Sequence, residues 1–200
     1  MTKRKNPKLI VITGYLAAGK STFARMLSEA VSVPCIIKDT FKIALCESVV
    51  VTTREESSHF STVTFDGMIY VAERLIEAGY PIIIEGNFVP AGLKKVDEAE
   101  VIRSLIEKHG CRALVYKFTG DTRILHQRYI ERANSSERGQ VYNIGGGSIL
   151  YKDFDKYCRN LDAFDIGVKT IEVDTSCFEH VDYQGLITVA RAFLHGELCP

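Results

Sequence analysis

The sequence lacks charge of one sign. Lys plus Arg number 25 and Asp plus Glu number 25, so the formal net charge is zero. A surface built to hold nucleic acid carries a basic excess, so no nucleic-acid partner is expected. A long apolar run is also missing. No stretch reaches the roughly 18 residues that cross a bilayer, and no membrane partner is expected. The six cysteines (Cys35, Cys46, Cys111, Cys158, Cys177 and Cys199) form no C-x-x-C pair. That removes the zinc-ribbon and thioredoxin-type readings. Scattered in this way, they read as mostly buried thiols of a reducing, cytoplasmic compartment. The five histidines have no metal-ligand spacing, and there is no internal repeat or low-complexity tract.

What is present is ordinary globular composition. Hydrophobic residues make up 46% and charged residues 25% of 200 positions, which argues against disorder and fibres. At roughly 150 residues per domain, residues 1–200 read as a single domain. A chain of this size buries about 70% of its unfolded surface and needs no disulfide or metal to fold. Near the start, Lys3, Arg4, Lys5 and Lys8 precede an apolar stretch over 9–18, a pattern that resembles a short signal peptide. The stretch runs into Gly19-Lys20-Ser21, which has a better explanation, and residues 1–8 are read as a solvated tail.

Short apolar runs alternate with helix-period segments. Residues 9–13 (LIVIT), 32–38 (SVPCIIK), 81–87 (PIIIEGN), 111–118 (CRALVYKF) and 170–174 predict five strands of the buried type. Between them, helical spacing recurs at Phe23, Met26, Leu27 and Ala30, then at Phe41, Ala44, Leu45 and Val49 behind an Asp39-Thr40 cap. It returns at Phe65, Met68, Ile69, Ala72, Leu75 and Ile76, stopped by Gly79. Further helices are predicted from Val96 to Gly110, over 121–132, and at Leu186, Ile187, Ala190, Phe193 and Leu194. The fold class is therefore α/β, a three-layer sandwich with a five-stranded parallel sheet and helices on both faces. Ligands of such folds gather at the carboxyl ends of the strands.

The residues that decide the class follow the first strand. Gly14-Tyr15-Leu16-Ala17-Ala18-Gly19-Lys20-Ser21 fits G-x-x-x-x-G-K-S/T at every fixed position. Gly14 and Gly19 let the backbone curl so that N–H groups point at phosphate oxygens. Ala17, Ala18, Gly19, Lys20, Ser21 and Thr22 then line a nucleotide site at a helix N-terminus. Lys20 meets phosphoryl charge, and the Ser21 hydroxyl is a candidate Mg2+ ligand. A GTPase needs N-K-x-D near the fourth strand, where the chain reads Lys117-Phe118-Thr119-Gly120-Asp121. No D-x-x-G closes the third strand, which ends Ile84-Glu85-Gly86-Asn87.

With the nucleotide loop, the acid of Ile36-Ile37-Lys38-Asp39, the segment Ile84-Glu85-Gly86-Asn87-Phe88 and the arginines after the fourth strand in view, the chain resembles P-loop kinases of the adenylate-kinase-like fold. Within them it is similar to the small AAA-domain kinases related to zeta toxin and chloramphenicol phosphotransferase. The resemblance covers most of the chain. It implies the strand order 2-3-1-4-5, ATP and Mg2+ as cofactors, and transfer of a phosphoryl group to a small-molecule hydroxyl or phosphate acceptor.

Each candidate residue keeps a structural alternative. Asp39 orients or deprotonates the acceptor hydroxyl, or only caps a helix. Lys42 contacts an acidic or phosphorylated acceptor, or is solvated. Glu85 stands where P-loop proteins commonly hold the magnesium shell with Asp. It serves magnesium, water or the acceptor, or is a buried paired carboxylate. Asn87 is a candidate hydrogen-bond partner of the acceptor, with Gly86 allowing close approach. Arg128 and Arg132 share a helix face; the resemblance gives them the phosphates of ATP, and the alternative is a salt-bridged surface. Arg123 and Arg138 flank them. The glycine-rich stretch within 134–153 reads as a lid with its hinge, or as a surface loop. A second functional class also fits the motif: a P-loop ATPase or nucleotide switch that acts through a protein partner, with Glu85 positioning water.

Overall fold

The computed structural model describes residues 7–49, 51–89, 97–133 and 149–197. In chain order the elements are β1 (Lys8–Gly14), α1 (Lys20–Val31), β2 (Cys35–Ile37), α2 (Lys38–Glu47), α3 (Arg54–Glu77), β3 (Ile82–Glu85), α4 (Glu98–His109), β4 (Arg112–Thr119), α5 (Thr122–Ala133), α6 (Tyr151–Asn160), β5 (Thr170–Asp174) and α7 (Tyr183–His195). The sheet order is β2-β3-β1-β4-β5. Every pairing is parallel, with Leu9 opposite Ile82 on one side and Ala113 on the other.

The two-residue period of a strand sorts the core into two layers. Ile10 and Ile12 of β1, Ile83 of β3 and Leu114, Tyr116 and Phe118 of β4 face α1, α5, α6 and α7, where Phe23, Leu27, Leu125, Phe154 and Phe193 pack. Leu9, Val11, Ile82, Ile84, Ala113 and Val115 face the opposite way, onto Phe65, Met68 and Ala72 of α3 and Ile102 and Leu105 of α4. Both faces are apolar because both are covered. That is why these strands read as solid hydrophobic runs rather than alternating ones.

Helix ends are set locally. Thr53 and Glu56 form a reciprocal capping box that starts α3, and the Asp97 carboxylate accepts from Ala99 N and Glu100 N to start α4. The helix read over 65–76 therefore begins earlier, at Arg54, in polar turns that carry no apolar stripe. Asp39-Thr40 do not cap α2. The helix starts at Lys38 behind Ile37, which makes no side-chain cap, and Asp39 sits inside the first turn. There its negative charge suits the helix dipole. Strand β2 is shorter than 32–38, since Ser32 ends α1 in a left-handed conformation.

Lys8 is not tail. It opens β1, and its ammonium donates to the carbonyl of Leu194. The expected lid lies mostly outside the described residues; its last part, 151–153, belongs to α6.

The carboxyl ends of the strands are stitched by main-chain bonds. Tyr15 N donates to Phe118 O at 2.8 Å, Gly86 N to Ile12 O at 3.1 Å, and Thr175 N to Thr119 O at 2.9 Å. Four strand ends are thereby held at one edge. The chain leaves β1 toward β2 on one side and later returns to β4 on the other, so a crevice opens at the end of β1.

Candidate active site

The loop after β1 is shaped by close approach. At Gly14 φ is 122°, and a Cβ there would lie 2.0 Å from Phe118 O, so no side chain is accommodated. Gly19 has φ 79° and a Cβ would press on the Phe178 ring at 2.9 Å. Helix α1 then starts at Lys20 with no side-chain cap, which leaves first-turn N–H groups for an anion. Lys20 is buried, and its ammonium donates to the Tyr15 carbonyl at 2.5 Å. Burial lowers its pKa; the charges of Glu85 and Asp39 oppose that shift.

Around the loop is a cleft of about 340 Å3, lined on one side by Arg25, Asp39, Glu85 and Asn87 and on the other by Arg128, Arg132 and Phe178, with residues 16–22 as its floor. The volume suits a small-molecule site. The strand order explains the arrangement. Asp39 follows β2, Glu85 and Asn87 follow β3, the arginines ride on α5 behind β4, and Phe178 follows β5.

Ser21 Oγ donates to Glu85 Oε2 at 3.1 Å. Glu85 is 3% exposed, and burial pushes its carboxyl up to about 7. Asp39 adds to that shift, while Lys20 and the Ser21 hydrogen bond oppose it. A hydroxyl beside a carboxylate is a pair of hard oxygen donors of the kind that suits Mg2+, and the loop fits phosphate. Asp39 is exposed at the mouth. Asn87 Oδ1 is buried and has no hydrogen-bond partner among the described residues.

Two side chains are held differently from the expectation. The Arg128 guanidinium donates to the carbonyls of Thr175 at 2.5 Å and Ser176 at 2.9 Å, and stacks 3.9 Å from the Phe178 ring centroid. Its fork is turned to the β5 loop, beside the phosphate cradle. Arg132 lines the cleft, and its charge acts on Lys20. Lys42 does not line the cleft. Its ammonium donates to Ser57 Oγ and Ser61 Oγ, each at 2.8 Å, and ties α2 to α3. Arg123 lies off the cleft, and Arg138 is outside the described residues.

Arg25, Phe178 and Tyr15 were not singled out by motif. Arg25 stands one turn after Ser21, a spacing that could have found it. Phe178 had only the topological signal of following β5. The Tyr15 hydroxyl donates to Asp162 at 2.8 Å, fastening the loop to the turn after α6, and no sequence signal marks that pairing.

A family model described as an AAA domain matches residues 9–142. The chain belongs to this AAA domain family. No curated protein matches it. Among solved structures, a protein of Chloroflexus aurantiacus J-10-fl described as a candidate kinase is 20% identical, with TM-score 0.82 over 94% of this chain and 98% of that one. A shikimate kinase of Bacteroides thetaiotaomicron is 15% identical, with TM-score 0.61 over 94% and 98%. A gluconokinase of Sinorhizobium meliloti 1021 is 18% identical, with TM-score 0.56 over 98% and 100%. The fold is that of the P-loop kinases, with the strand order expected for adenylate-kinase-like members. No described helix is long and apolar enough to cross a membrane.

Proposed function

We propose that the protein is a phosphotransferase that moves the γ-phosphoryl group of Mg-ATP to a hydroxyl of a small-molecule acceptor. One observation carries the reading: a single cleft gathers the phosphate loop, the Ser21–Glu85 pair, Asp39 and Arg132. A binding module needs the loop alone. An acid on the opposite lip is what a transfer reaction adds.

The residues divide the work. Backbone N–H groups of 17–20 and the Lys20 ammonium bind the phosphates. Ser21 and Glu85 would hold Mg2+, which supplies charge neutralisation for the β- and γ-phosphates when bound. Arg132 adds a guanidinium to the charge that spreads over the transferring group. Arg128, stacked on Phe178, borders the nucleotide end of the cleft. On the acceptor side, Asp39 accepts the hydroxyl proton as the new O–P bond forms and the bond from the γ-phosphorus to the β-phosphate oxygen breaks. ADP leaves, and the proton passes from Asp39 to solvent. Asn87 hydrogen-bonds the acceptor. Lys42 takes no part, since its ammonium is engaged on α3.

Purified protein, ATP and Mg2+ with a pooled metabolite library, read by mass spectrometry against Lys20→Ala, tests the reading. A phosphorylated product that depends on Lys20 is expected. Asp39→Asn should then lower turnover by roughly 10²- to 10⁴-fold with ATP affinity unchanged. ADP formed with no phosphorylated product, abolished by Glu85→Gln, would move the assignment to an ATPase or switch working through a protein partner.

A further inference from the structure

Two groups in the cleft narrow that reading, one of them, Arg25, given no role by it. The first is Arg25. It lies on α1 as the i+4 neighbour of Ser21, and helical side chains lean back over the preceding turn, which carries Arg25 over the mouth of the cleft it lines. Its charge acts on Glu85 and on Cys35 of β2. Glu85 and Cys35 both lie on the β2–β3 side of the cleft. It has no ion pair or hydrogen bond among the described residues. The second is Asn87 Oδ1, a buried acceptor with no donor among those residues, on a side chain that lines the same cleft.

Both groups belong to the acceptor side, and they ask for different things. A guanidinium fork is matched by a carboxylate or phosphate, which it can bind through two parallel hydrogen bonds. A buried amide oxygen left without a donor is destabilising, and a hydroxyl or amine supplies one. A neutral polyol would satisfy Asn87 and leave Arg25 unmatched.

We infer that the acceptor is an anionic alcohol: it carries a carboxylate or phosphate that Arg25 binds, beside a hydroxyl that donates to Asn87 Oδ1. This rests on the phosphotransferase reading and narrows its substrate class. It also moves the anion-binding role that the sequence offered to Lys42 onto α1. Arg25 is exposed and packs in no core, so removing it should leave the fold intact.

Three probes separate the chemistry: glycerol, a neutral alcohol; glycerate, its carboxylate relative; and glycerol 3-phosphate, its phosphate relative. Each is titrated by calorimetry into the full chain saturated with Mg2+ and the non-hydrolysable analogue AMP-PNP. One or both anionic probes should bind at least tenfold more tightly than glycerol, and whichever does names the anion. Arg25→Ala should erase the preference, and Arg25→Lys should keep part of it. AMP-PNP affinity should change by less than twofold in both variants. Equal binding of the three probes, no binding by either anion, or a preference that survives Arg25→Ala overturns the inference. Loss of AMP-PNP binding in the unsubstituted protein would instead overturn the nucleotide site on which the phosphotransferase reading stands.

Discussion

Lys38→Met should destabilise the fold sharply, although Lys38 contacts no ligand. Its ammonium lies 2.5 Å from Glu98 Oε1, and the two side chains are 8% and 2% exposed. The ammonium also sits 5.1 Å from the Phe65 ring centroid and 5.9 Å from that of Phe88. Glu98 Oε2 accepts from Val89 N at 3.0 Å, so the pair joins the start of α2 to the segment after β3. Methionine keeps the packing of the stem and leaves a buried carboxylate without its cation. Breaking such a pair from one side costs about 3–5 kcal/mol. In a domain of this size that corresponds to a fall in Tm of roughly 6–20 °C. The double variant Lys38→Met/Glu98→Gln should recover most of the loss. Its amide oxygen still accepts from Val89 N, and no charge stays buried. Urea unfolding followed by circular dichroism, on parent, both single variants and the double, measures the coupling. A single variant within about 1 kcal/mol of the parent, or a double no more stable than either single, would refute this account of the pair.

Two further outcomes follow from the site. Gly14→Ala places a methyl group 2.0 Å from Phe118 O at φ 122°. It should lower the thermal midpoint by roughly 6–12 °C or more, or abolish soluble expression, at roughly 3 kcal/mol or more for forced backbone strain; a midpoint within 2 °C of the parent would show that the strand ends can part. Glu85 gives a pH signature. Its carboxyl ionises near 4.5 in the unfolded chain and about 7 in the fold, so the folded state holds the extra proton and stability drops as pH rises between those values. The drop through this group is on the order of 3 kcal/mol. Glu85→Gln lacks it, so the stability of this variant relative to the ligand-free parent should rise from pH 4.5 to 7.5 in urea titrations. A difference that stays flat with pH would remove the buried carboxyl from the account.

Most of the sheet was legible because a covered parallel strand needs residues that are apolar on both sides, and 9–13 and 111–118 have little else. The nucleotide loop was legible for a different reason: its geometry demands Gly14 and Gly19 at fixed spacing. Asp39, Glu85 and Asn87 were reachable through topology, since each follows a strand on the β2–β3 side. Helix α6 was not found, because Phe154 and Cys158 are the only buried positions between charged ones, too few for a stripe. Neither the Lys38–Glu98 pair nor the Tyr15–Asp162 bond could be read. Each joins residues distant in the chain, and a lone charged or phenolic side chain carries no mark of its partner. Arg128 shows the other limit: its position on α5 was predictable, but the carbonyls its fork would find depended on how the loop after β5 turns.

The seams between the strand ends make the edge tolerant of sequence change. Tyr15 N to Phe118 O, Gly86 N to Ile12 O, Thr175 N to Thr119 O and the Arg128 bonds to two carbonyls all use peptide groups at one end or both. A peptide group survives almost any replacement of the side chain it carries. The edge of the sheet can therefore keep its shape while the residues on it differ, which accords with a shared fold of TM-score 0.82 at 20% identity. Side chains such as Arg25 and Asn87, which do not hold that edge, can change without loosening it.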